Sequence, residues 1–388
     1  MKRNVVYFMV FATLIIGLAI IVRPPQNGRP VVGVILATTG GSDFIGKPER
    51  SVLEMLAEDY STRGQFPFDL VVKDSQGKVD AATQLFDSFT ADPNVIAIIG
   101  PSTSGESIPL ARLAKESKVP LLSLAASKLT VEDPDSSGQT NAWAFKFAQN
   151  DDLAAKRLVR RIHQDGHSKV ALLFSEDGFG KSGASVFAEE VDDTTLLTVA
   201  YQKAFVSSLT TPEPEVAAIP PNIDAVVIWG TAPGPSLLVK GIRELKSELP
   251  IYLSHGNASE DFIASTGIAA EGCVVVGSRV LVNDSLLTDS PRDTVIRSYR
   301  KMWASREPGA PSHFGGHARD AFEALVRVFE ANPTPNREDV RNELEQLHTM
   351  HGVTGTFSFS EHDHAGLSEE AFEVYVITGG MFLLAPSN

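Results

Sequence analysis

The stretch that most constrains the fold runs from residue 95 to residue 130, VIAIIGPSTSGESIPLARLAKESKVPLLSLAASKLT. Its first five residues are β-branched or small and apolar, the pattern of a strand buried on both faces of a parallel sheet. They stop at Gly100-Pro101. Ser102, Thr103, Ser104 and Gly105 lead into a helical pattern with Leu110, Leu113 and Ala114 on one face, and Thr103 with Glu106 fits a capping box. The helix ends near Lys118, and residues 120–124 read as a second strand that stops at Ala125-Ala126-Ser127. Two adjacent parallel strands therefore each release a hydroxyl-bearing loop at the carboxyl edge of one sheet, where open α/β folds bind ligands. Unpaired amides at the helix start, together with the Ser hydroxyls, favour a carboxylate or another anion in that crevice. The same loops also read simply as well-capped βα turns.

The alternation extends in both directions. Residues 31–37 read as a strand, 38–46 as a glycine-containing loop carrying Phe44, 47–62 as a helix, 68–73 as a strand and 79–91 as a helix. After a polar loop at 131–139 and a strand at 143–147, it begins again with helix 151–163, strand 169–174, helix 180–191 and strand 196–205. Pro212, Pro214, Pro220 and Pro221 break it over 206–222. It resumes with strand 225–229, helix 235–246, strand 251–254, a short helix at 260–266 and strand 273–276. Helices at 292–305, 317–331 and 337–347 follow, and the alternating segments 355–360 and 372–378 have the look of an antiparallel hairpin. Two α/β runs and a helical return imply two similar lobes, each a parallel sheet covered by helices, with the chain crossing between them more than once.

A formal charge of −14 over 388 residues, without a basic cluster, argues against nucleic acid as a partner and fits about two folded domains. Lys2 and Arg3 precede a charge-free run at 5–22 and then Arg23-Pro24-Pro25, which reads as an export signal or, left uncleaved, an inner-membrane anchor. The single cysteine, Cys273, sits in an apolar run and reads as a buried, inert thiol; stability must come from the cores alone.

Three motifs invite chemistry. Gly178-Phe179-Gly180-Lys181-Ser182-Gly183 matches G-x-G-x-x-G after a strand, but Glu176 and Asp177 would repel a phosphate, and the run reads instead as a βα turn exposing Phe179 to a cleft. His362-Asp363-His364 has ligand spacing without a third partner and reads as a solvated turn. His313 and His317 are four apart, but Gly315-Gly316 is expected to interrupt any helix between them. No nucleophile is assembled with a base, so no catalytic residue, metal or cofactor is expected.

Taken in order, Thr39-Gly40-Gly41 with Phe44-Ile45-Gly46, Val72-Lys73-Asp74, Ile98 to Ser104, Leu122 to Ser127, Asp177 to Gly180, Ala270-Glu271-Gly272 and the 356–366 segment resemble the type I periplasmic binding proteins, of the leucine/isoleucine/valine-binding branch. The likeness covers about 31–382. It implies an α/β fold of two Rossmann-like lobes with parallel sheets joined by a three-segment hinge. Hinge crossings are expected near Phe147, Gly277 and 352–355, giving a leader and tether at 1–30, lobe 1 at 31–147 plus 278–352, and lobe 2 at 148–277 plus 353–388. The resemblance places the ligand's carboxylate at Ser104, with Ser102 close by, and at Ala125, Ala126 and Ser127; Phe179 matches a lid aromatic and Phe44 an aromatic of the first loop. The family's acid for an α-ammonium would fall near Gly256, where the chain has only His255 and Asn257 as neighbours; a second lid aromatic would fall near Thr231, leaving Trp229 as the nearest ring. The implied role is an extracytoplasmic binding protein for a small carboxylate-bearing solute, amino-acid-like or another organic acid, serving an ABC-type permease. The alternatives are an envelope sensor or interaction protein of the same fold with a drifted cleft, and a nucleotide-dependent enzyme using 178–183.

Overall fold

The computed structural model describes residues 28–386, apart from 207 and 247, together with a two-residue strand at Ile20–Ile21. The signal or anchor expected at 5–22 lies outside the described residues except for that strand. Among the described residues no helix is long and apolar enough to cross a membrane.

Strands Val31–Leu36, Asp69–Asp74, Val95–Ile99, Leu121–Ser123 and Ala144–Lys146 pair in parallel as the first sheet. Every residue of Val31–Leu36 and of Val95–Ile99 is buried, as continuous apolar runs in a sheet covered on both faces should be. The second sheet runs Thr198–Phe205, Lys169–Ser175, Ala225–Trp229, Ile251–Leu253 and Val274–Ser278 in parallel, and then adds Phe372–Thr378 and Met381–Leu384 antiparallel.

The chain leaves the first sheet after Ala144–Lys146 and builds the second. After Val274–Ser278 it returns as helices Pro291–Ala304, His313–Ala331 and Arg337–Glu345, of which His313–Ala331 packs on Asp43–Thr62 beside the first sheet. It then crosses once more to Phe372–Thr378. The result is two α/β lobes joined by three crossings. Phe66, Phe68, Phe322 and Phe329 stack on one another under the first sheet, each burial contributing roughly 1.5–3 kcal/mol.

Two expectations change here. The 355–360 and 372–378 segments do not pair: Thr356–Phe357 pairs with Met350–His351, while Phe372–Thr378 lies between Val274–Ser278 and Met381–Leu384. The alternation at 355–360 instead turns Phe357 and Phe359 onto Phe147, with ring centroids 5.2 and 5.5 Å away, which fills the core between the crossings. Gly315-Gly316 does not interrupt a helix either; both lie inside His313–Ala331. A Cβ at 315 would sit 2.6 Å from the Tyr299 hydroxyl and one at 316 would sit 2.8 Å from Val353, so these glycines permit close packing.

The last crossing is pinned by Asp320, whose buried carboxylate accepts from the Val353 amide at 2.9 Å and the Thr354 amide at 2.8 Å. Gln149, from the first crossing, donates to the Thr354 carbonyl at 3.2 Å, so two crossings are tied directly.

Candidate ligand-binding cleft

The strands Val95–Ile99 and Leu121–Ser123 are neighbours, and their loops form one rim, as their sequence order predicts. Thr103 caps the helix Ser104–Ser117 by accepting from the Glu106 amide, the expected capping pair. Pro109 is accommodated inside this helix. Ser104 and Ser127 meet: the Ser127 amide donates to the Ser104 hydroxyl at 3.3 Å.

From the second lobe, the helix Gly178–Thr194 presents its N-terminus to the same place. A Cβ at Gly178 would lie 2.8 Å from the Gly105 amide nitrogen, so the two helix starts abut and only glycine fits. The rims are also joined chemically. The Ser127 hydroxyl donates to the Ser182 hydroxyl at 2.6 Å, and Ser182 in turn donates to the Asp151 carboxylate, which also accepts from the Lys128 amide at 3.0 Å. Lys128 and Glu189 pair at 2.8 Å, and the Ala310 amide donates to Glu260 at 2.9 Å. The lobes are closed on one another.

Beneath this rim lie buried ionisable groups. Burial raises the Asp151 carboxyl above its ordinary range, opposed by Lys146. Lys146 is itself fully buried, donates to the Ala126 carbonyl at 2.6 Å, and is brought down to about 8 by burial. Ser102 serves the first lobe internally: its hydroxyl accepts from the Ala37 amide at 3.0 Å and donates to the buried Glu49, whose carboxyl burial holds well above the usual range. Ser102 thus ties the rim to the interior of the first lobe. The Ala125 amide is likewise engaged, by the Ser123 hydroxyl at 3.2 Å.

The opposite wall is aromatic. Phe179 packs edge-on to His255 at 5.2 Å and lies 6.1 Å from Trp229, which is wholly buried at the end of its strand. Thr231 is half-buried with its methyl close to Gly256. Asn257 donates to the Gly230 carbonyl at 3.0 Å and so fixes the loop. Phe44 is half-buried in the first turn of Asp43–Thr62, its ring 6.0 Å from Phe314. At Gly256 a Cβ would sit 2.8 Å from Phe179 and 2.9 Å from the Gly230 carbonyl oxygen. Packing therefore excludes a side chain, acidic or otherwise, from that position.

Sequence reasoning missed His313, Phe314 and His317 as members of this wall. His313 and His317 are buried, with rings 5.6 Å apart. The Ala258 backbone of the other lobe lies beside His313, and His317 meets the Gln149 side-chain oxygen at 3.2 Å. Their four-residue spacing was the available signal, masked by the glycines between them.

The remaining motifs resolve as structure. The Asp177 carboxylate accepts from the Gly180 amide at 2.9 Å, occupying the helix N-terminus that a phosphate would need. Gly180 and Gly183 are close-approach points, against the Ser175 carbonyl and the Trp229 indole. His364 is not a solvated residue: it is buried, stacked on Phe145 at 3.9 Å and bonded to the Ala144 carbonyl at 3.0 Å, while His362 is exposed. Cys273 is buried and its thiol is pushed up to about 11, again by burial.

Comparison with known proteins places this geometry. An extracellular ligand-binding receptor from Rhodopseudomonas palustris HaA2 superposes with a TM-score of 0.83 at 23% identity, covering 92% of this chain and 99% of the other. A leucine-binding protein from Thermotoga maritima gives 0.80 at 19% identity, covering 92% and 98%. A branched-chain amino acid ABC transporter protein from Thermus thermophilus, with bound valine, gives 0.77 at 18%, covering 92% and 96%. At these identities the likeness is one of fold. Among curated sequences, glutamate receptor 2.2 of Arabidopsis thaliana is 24% identical over 321 residues, 79% of this chain. The chain spans a third or less of the length of such curated relatives, 33% and 18%. The sequence profile described as periplasmic binding protein matches residues 31–379, and the chain belongs to that family.

Proposed function

We propose that the protein is an extracytoplasmic solute-binding protein that closes its two lobes on a small carboxylate-bearing ligand and works without catalysis. The observation that carries this reading is the meeting of two neighbouring hydroxyl-bearing loops with a second helix N-terminus at the interlobe rim, through Ser104, Ser127, Gly105 and Gly178. Helix starts and hydroxyls offer donors to an anion. The Ser104 hydroxyl and the Ala126 amide would hold the carboxylate, on a loop set by the Ala125 and Ser127 amide bonds, while Phe44, Phe179 and Phe314 would enclose an apolar body, with Trp229, Thr231, His255 and Asn257 shaping the far wall.

In this reading the lobes are 31–147 with 278–352 and 148–277 with 353–388, and they open about the three crossings to admit the ligand. The charge-free run at 5–22 exports the domain or tethers it to the membrane, and an ABC-type permease receives the solute. The bond from Ser127 to Ser182, which engages a rim hydroxyl with protein, favours a second reading: an envelope sensor or interaction protein with a drifted cleft.

A thermal-denaturation screen against small carboxylic acids separates the two. A ligand that binds only the folded state raises stability by about 2.7 kcal/mol at a hundredfold excess over its Kd. Saturable stabilisation by at least one acid, lost in Ser104→Val, is the expected result; no stabilisation by any acid would favour the second reading.

A further inference from the structure

The far wall of the cleft holds buried polar atoms that the protein leaves unused. His255, His313 and His317 are 5%, 4% and 3% exposed, yet both ring nitrogens of His255, Nε2 of His313 and Nδ1 of His317 have no hydrogen-bond partner. Buried polar groups in a folded protein are ordinarily paired, and exceptions cluster where something else binds.

The proton on one of these rings is fixed by its neighbour. Gln149 donates through its amide nitrogen to the Thr354 carbonyl, so its oxygen faces His317 and accepts from Nε2–H. His317 Nδ1 is then a bare lone pair, with the Leu124 carbonyl also beside the ring. His313 Nε2 is likewise buried without a partner. Neutral His255 carries one N–H and one lone pair.

The rings remain neutral near pH 7. Burial is the main cause, taking His255 down to about 3 and His313 to about 4 and lowering His317 as well. The charged or titratable groups acting on His255 and His317 are the other rings and Lys146, all of which oppose protonation. Position 256 cannot carry a side chain. An ammonium group here would have no carboxylate beside it and would have the Lys146 cation nearby, and burying an uncompensated charge is strongly unfavourable. A second carboxylate would require these rings to take up protons against their surroundings. An uncharged hydroxyl meets neither obstacle, since it donates to a bare lone pair and accepts from an N–H.

We propose, building on the function above, that His255, His313 and His317 form a second recognition element of neutral imidazoles, and that the ligand is a hydroxy acid whose carboxylate sits at the serine rim and whose hydroxyl sits at the imidazoles. The ligand is then neither a zwitterionic amino acid nor a dicarboxylate.

The test is calorimetric titration of the full chain with straight-chain acids from butanoate to octanoate. Each length is offered unsubstituted, hydroxylated, aminated, and with a second carboxyl group. A hydroxylated member is expected to bind roughly tenfold or more tighter than its three counterparts, because a donor unmatched in a buried site forfeits about that much. That advantage should vanish in His313→Leu and His317→Leu, with circular dichroism and a cooperative urea transition like those of the wild type showing that those variants fold. Preference for an aminated or dicarboxylic member, or equal binding of all four forms, overturns the inference and leaves the proposed function standing. Failure of every acid to bind overturns both.

Discussion

The two sides of the cleft treat buried polar groups in opposite ways. At the serine rim Ser102, Ser127 and Asp151 each meet at least two protein partners, and the chain of hydroxyls from Ser127 through Ser182 to Asp151 even joins the lobes. On the far wall, three histidines of comparable burial keep nitrogens free. Satisfied polar networks specify a structure, whereas unsatisfied ones mark where the protein has given up stability for something else. Substitutions on the rim should therefore be felt in folding, and those on the wall chiefly in binding.

The sharpest way to break this contrast is Asp151→Ala. Removing the carboxylate leaves the buried Lys146 without its nearest opposing charge and unpairs the Ser182 hydroxyl and Lys128 amide, so a loss of about 3–5 kcal/mol is expected from urea denaturation. A loss below about 1 kcal/mol would show that the rim is not held together in this way. Ser102→Ala comes next, at about 1–3 kcal/mol, because the Ala37 amide and the buried Glu49 carboxyl lose their partner together. Unchanged denaturation midpoints would contradict it.

The effect on the wall is absent at pH 7 and shows only in pH dependence. His255 titrates at about 3 in the folded protein and near 6.5 when unfolded, so between those values the unfolded chain binds the extra proton. Its contribution to stability is fully present above pH 6.5 and is lost as pH falls toward 3. The stability of His255→Gln relative to wild type should therefore rise by about 1.4 kcal/mol for each pH unit below 6.5, with little difference at pH 7. Parallel pH–stability curves for the two proteins would mean that the ring already reaches solvent.

Much of the fold was written in local pattern. The paired strands Val95–Ile99 and Leu121–Ser123 and the Thr103–Glu106 cap follow from residues a few positions apart, and the order of βα units followed from their spacing. What local pattern could not carry was partner choice across the chain. The alternation at 355–360 looked like a hairpin strand but answered to Phe147, some two hundred residues earlier. Gly315-Gly316 looked like a break but answered to Tyr299 and Val353. The site shows the same division. Ser104 and Ser127 could be placed together from sequence, but the engagement of Ser102 by Glu49, the bond between Ser127 and Ser182, and the entry of His313 and His317 into the wall all depend on contacts between distant segments.

The most direct test is a crystal structure of the protein isolated with its natural solute still bound. A carboxylate is expected within hydrogen-bonding distance of the Ser104 hydroxyl and the Ala126 amide, with Phe179 closed over the solute's apolar body. A solute bound outside the interlobe rim, or lobes joined from Ser127 to Ser182 with nothing admitted between them at saturating solute, would contradict it.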